Sequence, residues 1–265
     1  MSFEHSRRDF LVHGSLLAAL SSAGLVRPSW AQGAPIAETT FGRIRGTERD
    51  PAIEADWLEE KYDYDGFVFL SKHAAESGTL ALTCHSTGNF SDANFGGNPK
   101  QVSIPHPNLQ KKYLQKLWQN RSEFSEFQIT IEATHHGPTA LSKPTIFIEI
   151  GTTQTQWTNI SLCNSVAKYV DDVLSNDIPS YPMAICFGGT HYPEKFTNQL
   201  LEGEFSLGTV IPKHALDNLD EDLFSHILDR NKIATLALLD WTGLGKNKKK
   251  IMAFLDSTNL EVIKL

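Results

Sequence analysis

Residues 129–151 read ITIEATHHGPTALSKPTIFIEIG, two apolar stretches joined by a loop that contains two adjacent histidines. In each stretch isoleucines occupy every second position, and this period of two is typical of a β-strand. Gly137 and Pro138 interrupt the pattern and indicate a loop between the two strands. A buried-looking carboxylate, Glu132 or Glu149, flanks the loop on each side. Apolar strands that end in imidazole and carboxylate side chains favour a functional site over a purely structural hairpin.

The composition is that of a globular enzyme. The chain has 265 residues, of which 40% are hydrophobic, enough for one large or two small domains. Its three cysteines are far apart without a CxxC pair, so neither a disulfide framework nor a thiolate zinc finger is indicated, and a reducing compartment is expected. The formal net charge of -7 argues against broad, nonspecific binding to nucleic acid.

Strand and helix patterns alternate along the chain from residue 50 onward. Short apolar runs predict strands, and apolar residues at four-residue steps or behind a capping residue predict helices. Interleaved elements of this kind predict an α/β fold, with a mixed, mostly parallel sheet flanked by helices. The predicted strands are 65–70, 80–84, 127–132, 146–151, 183–187 and 235–239, and the predicted helices are 109–117, 162–170, 193–202 and one that begins after Asp220.

Four of the six predicted strands lead into a histidine. Because ligands of open α/β sheets bind beyond the carboxyl ends of the strands, we expect these histidines to share one edge. Imidazole and carboxylate ligands suit Zn²⁺, which activates water for attack on a carbonyl, so hydrolysis is the predicted reaction class. No HExxH motif supports the spacing. The histidines are His73, His85, the adjacent pair His135 and His136, and His191.

Each histidine also has a structural interpretation. His73 and His191 are equally compatible with hydrogen-bonded surface histidines. Since neighbouring side chains on a turn diverge, one of His135 and His136 is expected to point away from the site and to orient a ligand rather than bind a metal.

Two other features carry alternatives. Glu149 lies inside an apolar strand, where a charge needs a cation or a donor, so it serves either the site or a structural ion pair. Thr87, Gly88 and Asn89 form either a tight turn or a set of backbone and amide donors that hold a substrate oxygen.

The first residues have a different character from the rest. Residues 1–33 contain SRRDFL at 6–11 and an apolar region to Leu25, a twin-arginine pattern that predicts an export signal, with an amphipathic terminal segment as the alternative. Within residues 34–49, the stretch AETTFGRIRG at 37–46 resembles the start of secreted type-B carboxylesterases, yet the chain contains no GxSxG motif. We therefore divide the chain into 1–33, 34–49 and a body at 50–265.

Seven ordered blocks in this body resemble the archaeal and plant type of D-aminoacyl-tRNA deacylase. They are FLSKH at 69–73, TCHSTGN at 83–89, EATHHGPT at 132–139, FIEIG at 147–151, GGTHY at 188–192, LGTVIPK at 207–213 and DWTG at 240–243. The resemblance implies hydrolysis of the ester between a D-amino acid and the 3′ end of tRNA, in translation quality control. It also implies zinc as cofactor, D-aminoacyl-tRNA as partner and a phosphorylase/hydrolase-like fold similar in outline to peptidyl-tRNA hydrolase.

The resemblance implies roles for individual residues. The metal ligands are expected to be His85, His135, His136, Glu149 and His191, and the catalytic residues Glu149, His136 and Asn89. Substrate or tRNA contacts are expected from His73, Thr87, Gly88, Lys213 and the lysine cluster Lys246, Lys248, Lys249 and Lys250. A solvated helix end is the alternative interpretation of that cluster.

The N-terminal part departs from the family pattern. The family's first βα unit is missing, so we expect an uncovered sheet edge and reduced stability. The body predicts a cytoplasmic protein, monomeric or weakly oligomeric and without membrane association, whereas the signal pattern would direct export. Two other functions therefore stay open: an exported zinc hydrolase of a small ester or amide, and an inactive chimera that retains at most nucleotide or RNA binding.

Overall fold

The computed structural model describes residues 55, 57–61, 64–74 and 78–265, together with the backbone of three strands before residue 50. The strands are β1 Arg8–His13, β2 Ala37–Glu38, β3 Gly42–Thr47, β4 Phe67–Ala74, β5 Ala81–His85, β6 Gly88–Asn89, β7 Gln101–Val102, β8 Gln128–Ile131, β9 Thr145–Thr152, β10 Met183–Phe187, β11 Ser206–Ile211, β12 Ala234–Leu239 and β13 Glu261–Lys264. The α-helices are α1 Trp57–Lys61, α2 Pro107–Gln119, α3 Gln154–Trp157, α4 Ile160–Leu174, α5 Glu194–Glu202, α6 Glu221–Arg230 and α7 Lys248–Leu255. Short 3-10 helices occupy Arg121–Phe124, Leu216–Asn218 and Gly245–Asn247.

The larger sheet has the strand order β2-β3-β1-β4-β9-β5-β8. Strand β9 is parallel to β4, and β5 is parallel to β8, but β5 and β9 pair in antiparallel orientation. The carboxyl ends of β4 and β5 therefore point in opposite directions. In this register Glu149 lies between Ser71 on β4 and Thr83 on β5. The mixed, mostly parallel α/β architecture predicted from the sequence is confirmed.

The second sheet is parallel throughout and has the order β11-β10-β12-β13. From the central strand β10 the chain moves to β11 on one side and then to β12 on the other. The carboxyl end of β10 is therefore a topological switch point, the usual place for a ligand crevice in such sheets.

Helices α2 and α4 contribute to the apolar core between the two sheets. Their buried residues include the four-residue series predicted from the sequence, for example Leu109 on α2 and Val166 on α4. The same cluster contains Ile148 of the larger sheet and Ala184 of the second, so one core joins both sheets. Helix α6 begins as predicted, because the side chain of Asp220 accepts a hydrogen bond from the backbone of the first turn.

Strand β1 pairs in parallel with β4, from Asp9 opposite Phe67 to Val12 opposite Leu70. The edge of β4 that we expected to be uncovered is therefore paired in the structure. Most of segments 1–33 and 34–49 lies outside the described residues, so the predicted signal and esterase-like start stay predictions, as does the domain division. Among the described helices, none has the length and apolar character needed to cross a membrane.

Candidate active site

Five histidines and two glutamates meet between the two sheets. Residues that pair across neighbouring strands point to the same face, and alternate residues share that face. By this rule His73 on β4 and His85 on β5 lie on the same sheet face as Glu149 on β9. Glu132, just after β8, lies on that face too, since its backbone N–H donates to Cys84 beside His85. The cluster therefore forms on a sheet face, and the expectation of one common strand edge was wrong, because β5 runs against β9. Its members are His73, His85, Glu132, His135, His136, Glu149 and His191.

His73 lies between the two carboxylates. Its Nδ1 is 3.3 Å from Glu149 Oε2 and 3.2 Å from Glu132 Oε1, while its Nε2 is 2.6 Å from the hydroxyl oxygen of Tyr192. Burial alone would lower the pKa of His73, but the hydrogen bond to Glu149 and the charge of Glu132 outweigh it and raise the pKa. Of its two interpretations, a surface histidine is wrong, since the ring is buried.

Glu149 is deeply buried and ionised. Burial raises the pKa of its carboxyl group, yet the hydrogen bond from His73 and the nearby imidazole of His85 outweigh burial and bring the pKa down to about 2. Its Oε1 lies 3.9 Å from His85 Nε2. The residue therefore belongs to the histidine cluster.

His135 and His136 both face the interior of the cluster. Their ring centroids lie 4.2 Å and 4.9 Å from that of His85. The expectation that one would point away was wrong. His136 adopts a φ of 41°, in the left-handed region, which turns the chain enough for adjacent rings to converge.

These two rings are held in a defined orientation. The Nδ1 of His135 bonds to the carbonyl oxygen of Ala133 at 2.8 Å, and the Nδ1 of His136 bonds to that of Gly137 at 2.5 Å. Burial and the neighbouring His85 lower the pKa of both imidazoles, that of His136 to about 4. Both rings are neutral at pH 7, with the Nε2 lone pair available for a metal or a proton.

Glu132 was noted in the sequence but was not assigned to the site. Its side chain is 0% exposed, and its oxygens lie 2.9 Å from His191 Nε2 and 3.5 Å from His135 Nε2. None of these contacts has hydrogen-bond geometry, so within the described residues both oxygens lack a hydrogen-bond partner. The signal that could have found Glu132 is the one used for Glu149, a carboxylate at an inward position of an apolar strand.

The cluster offers two sets of three ligand atoms that have no residue in common. Within each set the ligand atoms lie within 4.8 Å of one another. A third set, which overlaps with both, contains the two carboxylates. The sets are His85, His135 and His136; His73, Glu132 and His191; and His85, Glu132 and Glu149.

The hydrogen-bond donors of residues 87–89, which include strand β6, contact protein groups. The Gly88 N–H donates to the carbonyl oxygen of His136 at 2.8 Å, and the Thr87 hydroxyl donates to Pro138. The Asn89 amide donates to Gly96 at 2.8 Å. Thr87 and Gly88 thus hold the histidine loop, whereas Asn89 holds the segment at 96–98. Gly88–Asn89 is strand β6, so the tight-turn interpretation was wrong, and the role in holding a substrate oxygen stays a prediction.

The lysine cluster lies around the start of α7. Lys246 forms an exposed ion pair with Asp217 at 2.9 Å, and Lys250 donates to the carbonyl oxygens of Leu216 and Asp217. Lys248 lies over the ring of Trp241. These three lysines therefore have local partners in the fold.

A cavity of about 440 Å³ adjoins the cluster, lined in part by Tyr192 and Lys213. Lys213, a predicted substrate or tRNA contact, lines this cavity, and its role stays a prediction. Tyr192 was missed, because a tyrosine after a histidine gives no distinct pattern. A second cavity, of about 320 Å³, lies between α2 and α4, and none of its lining residues belongs to the cluster.

The family model and the sequence relatives agree on one family. The family model for D-aminoacyl-tRNA deacylase matches residues 60–263. The chain is similar to D-aminoacyl-tRNA deacylases of Cenarchaeum symbiosum (56% identity over 213 residues, 80% of this chain and 83% of the relative) and Ignicoccus hospitalis (37% over 198 residues, 72% and 79%). That of Methanocaldococcus jannaschii is 32% identical over 228 residues, 81% of this chain and 88% of the relative. A crystal structure of a conserved protein of unknown function superposes with a TM-score of 0.88 at 25% identity, covering 97% of this chain and 95% of the other.

Proposed function

The chain belongs to the D-aminoacyl-tRNA deacylase family, and on that basis we propose that it hydrolyses the ester bond between a D-amino acid and the 3′ end of tRNA. The products are the free D-amino acid and tRNA, which returns to translation. The observation that carries the proposal is the convergence of five imidazoles on two buried carboxylates, all within the segment that matches the family.

We further propose zinc as the cofactor, because the residues present fit it. Both oxygens of Glu132 and the Nε2 of His85 are buried without a hydrogen-bond partner among the described residues. Such groups are costly to bury unless a cation or a donor meets them. A mixed set of imidazole and carboxylate atoms is the donor chemistry that zinc prefers. Compared with the ligand set expected from the sequence, the proposal adds Glu132 and His73.

When bound, zinc supplies Lewis-acid chemistry, which makes water acidic enough to lose a proton near neutral pH. The chain's own residues hold the reacting groups. With a pKa of about 2, Glu149 stays charged and is a weak base, so we assign it to positioning His73 and His85 rather than to proton abstraction. His136 is neutral at pH 7 and presents an Nε2 lone pair.

Substrate enters from the side of His191. This ring is 43% exposed, while His73 and His85 are buried. An ester that reaches the cluster therefore passes His191 and Tyr192 first. Within the lysine cluster we propose that Lys249 contacts the body of the tRNA, because its amine has no partner within the described part of the chain, whereas the amine of Lys250 is bound to carbonyl oxygens.

Hydrolysis of D-tyrosyl-tRNA and L-tyrosyl-tRNA by the full chain tests the proposal. We expect release of D-tyrosine only, loss of release with a chelator, and recovery on addition of zinc. His135→Gln should abolish release, whereas His226→Gln, which changes a ring bonded to the Val102 backbone outside the cluster, should not.

Three outcomes would contradict parts of the proposal. Equal release of both amino acids would refute D-selectivity, and release unaffected by the chelator would refute zinc dependence. Hydrolysis of a small ester such as p-nitrophenyl acetate, with both tRNA esters intact, would refute tRNA as the substrate and support the small-ester alternative.

A further inference from the structure

The 440 Å³ cavity lies where the second sheet predicts a ligand crevice. Its floor is formed by Gly189, which follows β10, and by Thr242 and Gly243, which follow β12. These are the carboxyl ends on either side of the switch point. A Cβ at position 243 would lie 2.3 Å from the carboxylate of Asp240, so glycine keeps this floor open. The volume falls within the ~300–1,000 Å³ typical of small-molecule sites.

The cavity is continuous with the histidine cluster through one side chain. Tyr192 lines the cavity, and its hydroxyl oxygen is 2.6 Å from His73 Nε2. In an aminoacyl-tRNA the ester is formed on the terminal ribose. When the ester carbonyl is at the cluster, the nucleoside attached to that ribose is therefore next to Tyr192. A half-buried aromatic ring is a suitable surface for a nucleobase.

Of the charged side chains around the cavity, two form an ion pair with each other and two have no partner within the described residues. Lys195 donates to Asp240 at 2.7 Å, which neutralises both. The amine of Lys213 and the carboxylate of Glu194 line the same cavity, and neither has a partner within the part of the chain that the structure describes. The backbone N–H of Lys213 donates to Gly189 at 3.0 Å, which fixes the residue at the cavity wall. One free cation and one free acceptor match the phosphate and the hydroxyl or amino groups of a nucleotide.

We propose that this cavity is the subsite for the 3′-terminal nucleotide of the substrate, with Lys213 binding the phosphate on its 5′ side and Tyr192 contacting the nucleoside. The proposal rests on the proposed function and names the part of the substrate that this second sheet recognises. It assigns the cluster to the ester and the adjoining switch point to the nucleotide.

Titration of the full chain with AMP, adenosine and inorganic phosphate in a calorimeter tests the subsite without any ester hydrolysis. We expect AMP to bind at one site and to compete with D-tyrosyl-tRNA. Lys213→Ala should weaken AMP binding by about tenfold, through loss of one charge-assisted contact, and should change adenosine binding by less than about twofold. The matched control is Lys168→Ala, an exposed lysine on α4, which should leave both affinities unchanged.

Several results would overturn the subsite. They are no AMP binding by the wild-type chain, equal AMP affinity in Lys213→Ala and Lys168→Ala, or phosphate that binds as tightly as AMP. Loss of AMP binding in His135→Gln would place the phosphate on the histidine cluster instead. These results are independent of D-tyrosyl-tRNA hydrolysis, so failure of the subsite and failure of the deacylase proposal are separate observations.

Discussion

Replacing Glu132 by glutamine is the most direct test of how the cluster works. The substitution preserves shape and removes one charge from a fully buried position. In the metal-free chain the change has two opposing electrostatic effects. It removes the attraction to His73 at 3.2 Å. It also relieves repulsion from Glu149, whose oxygen lies within 4.8 Å.

The two effects nearly cancel without metal. With His73 protonated and an effective dielectric constant of about 20, unit charges at those distances give ~5 kcal/mol of lost attraction and ~3.5 kcal/mol of relieved repulsion. The contact with His191 adds less, because that side chain is 43% exposed and water screens its interaction with the carboxylate. We therefore expect Glu132→Gln to lower the free energy of unfolding of the metal-free chain by only about 1.5 kcal/mol.

The effect with zinc is different, because the carboxylate is a proposed ligand. Zinc at about 100 times its dissociation constant stabilises a native site by ~2.7 kcal/mol. If Glu132→Gln weakens zinc binding by about 100-fold, the same zinc concentration stabilises the variant by only ~0.4 kcal/mol. For a chain of this size the zinc-induced rise in Tm should fall from about 5–10 °C to about 1 °C.

Differential scanning calorimetry with and without zinc measures both quantities. Glu126→Gln is the matched control, since Glu126 is exposed on the loop before β8 and should keep the full zinc-induced rise. A Glu132→Gln chain that also keeps the full rise would refute the assignment of Glu132 as a ligand. A loss of more than about 4 kcal/mol without zinc would show that the carboxylate is mainly an ion-pair partner.

Three further variants test other parts of the structure. Burial lowers the pKa of Lys111 from 10.5 to about 8, so between these pH values the unfolded chain binds one more proton than the folded chain, and the free energy of unfolding rises with pH. Lys111→Met should remove this rise, measured by urea unfolding at several pH values. The same pH slope in the variant and the wild-type chain would contradict the assignment. Gly88→Ala would bring a Cβ within 2.6 Å of Val102 and should destabilise the chain by about 1–3 kcal/mol, measured as a lower urea midpoint. An unchanged midpoint would show that strand β6 can shift away from β7 without cost. Lys249→Ala should reduce by about 1 the slope of log KM for D-tyrosyl-tRNA against log salt concentration. Lys250→Ala should leave this slope unchanged, because the amine of Lys250 is bound to carbonyl oxygens. Equal slopes in the two variants would refute a role for Lys249.

The sequence was sufficient for the strands and helices that carry the site. Apolar alternation around Ile148 and four-residue spacing around Leu109 are local patterns, and local patterns decide the type of element. Strand β11 was missed, because Ser206–Ile211 contains a glycine and no clear alternation. Its place beside β10 depends on tertiary contacts that no local pattern records.

The site was predictable in its members and not in its geometry. The sequence identified His85, His135 and His191 because they come at the ends of predicted strands. The explanation that these strand ends share one edge of the sheet required all the strands to run in the same direction. Strand direction is decided by pairing between distant segments, here β5 with β9. The convergence of the two adjacent histidines depended on one backbone angle at His136, which is a property of the folded loop.

The histidine loop is also the place where the two sheets are joined. The backbone N–H of Ala133 donates to His191 at 2.8 Å, and that of Thr134 donates to Val210 at 3.0 Å. His191 therefore reaches Glu132 only after β8 and the second sheet have docked. In folding, the complete set of metal-binding groups is a late product, because contacts between distant segments form last when loop closure is costly. The proposed zinc site is therefore complete only when the two sheets have come together.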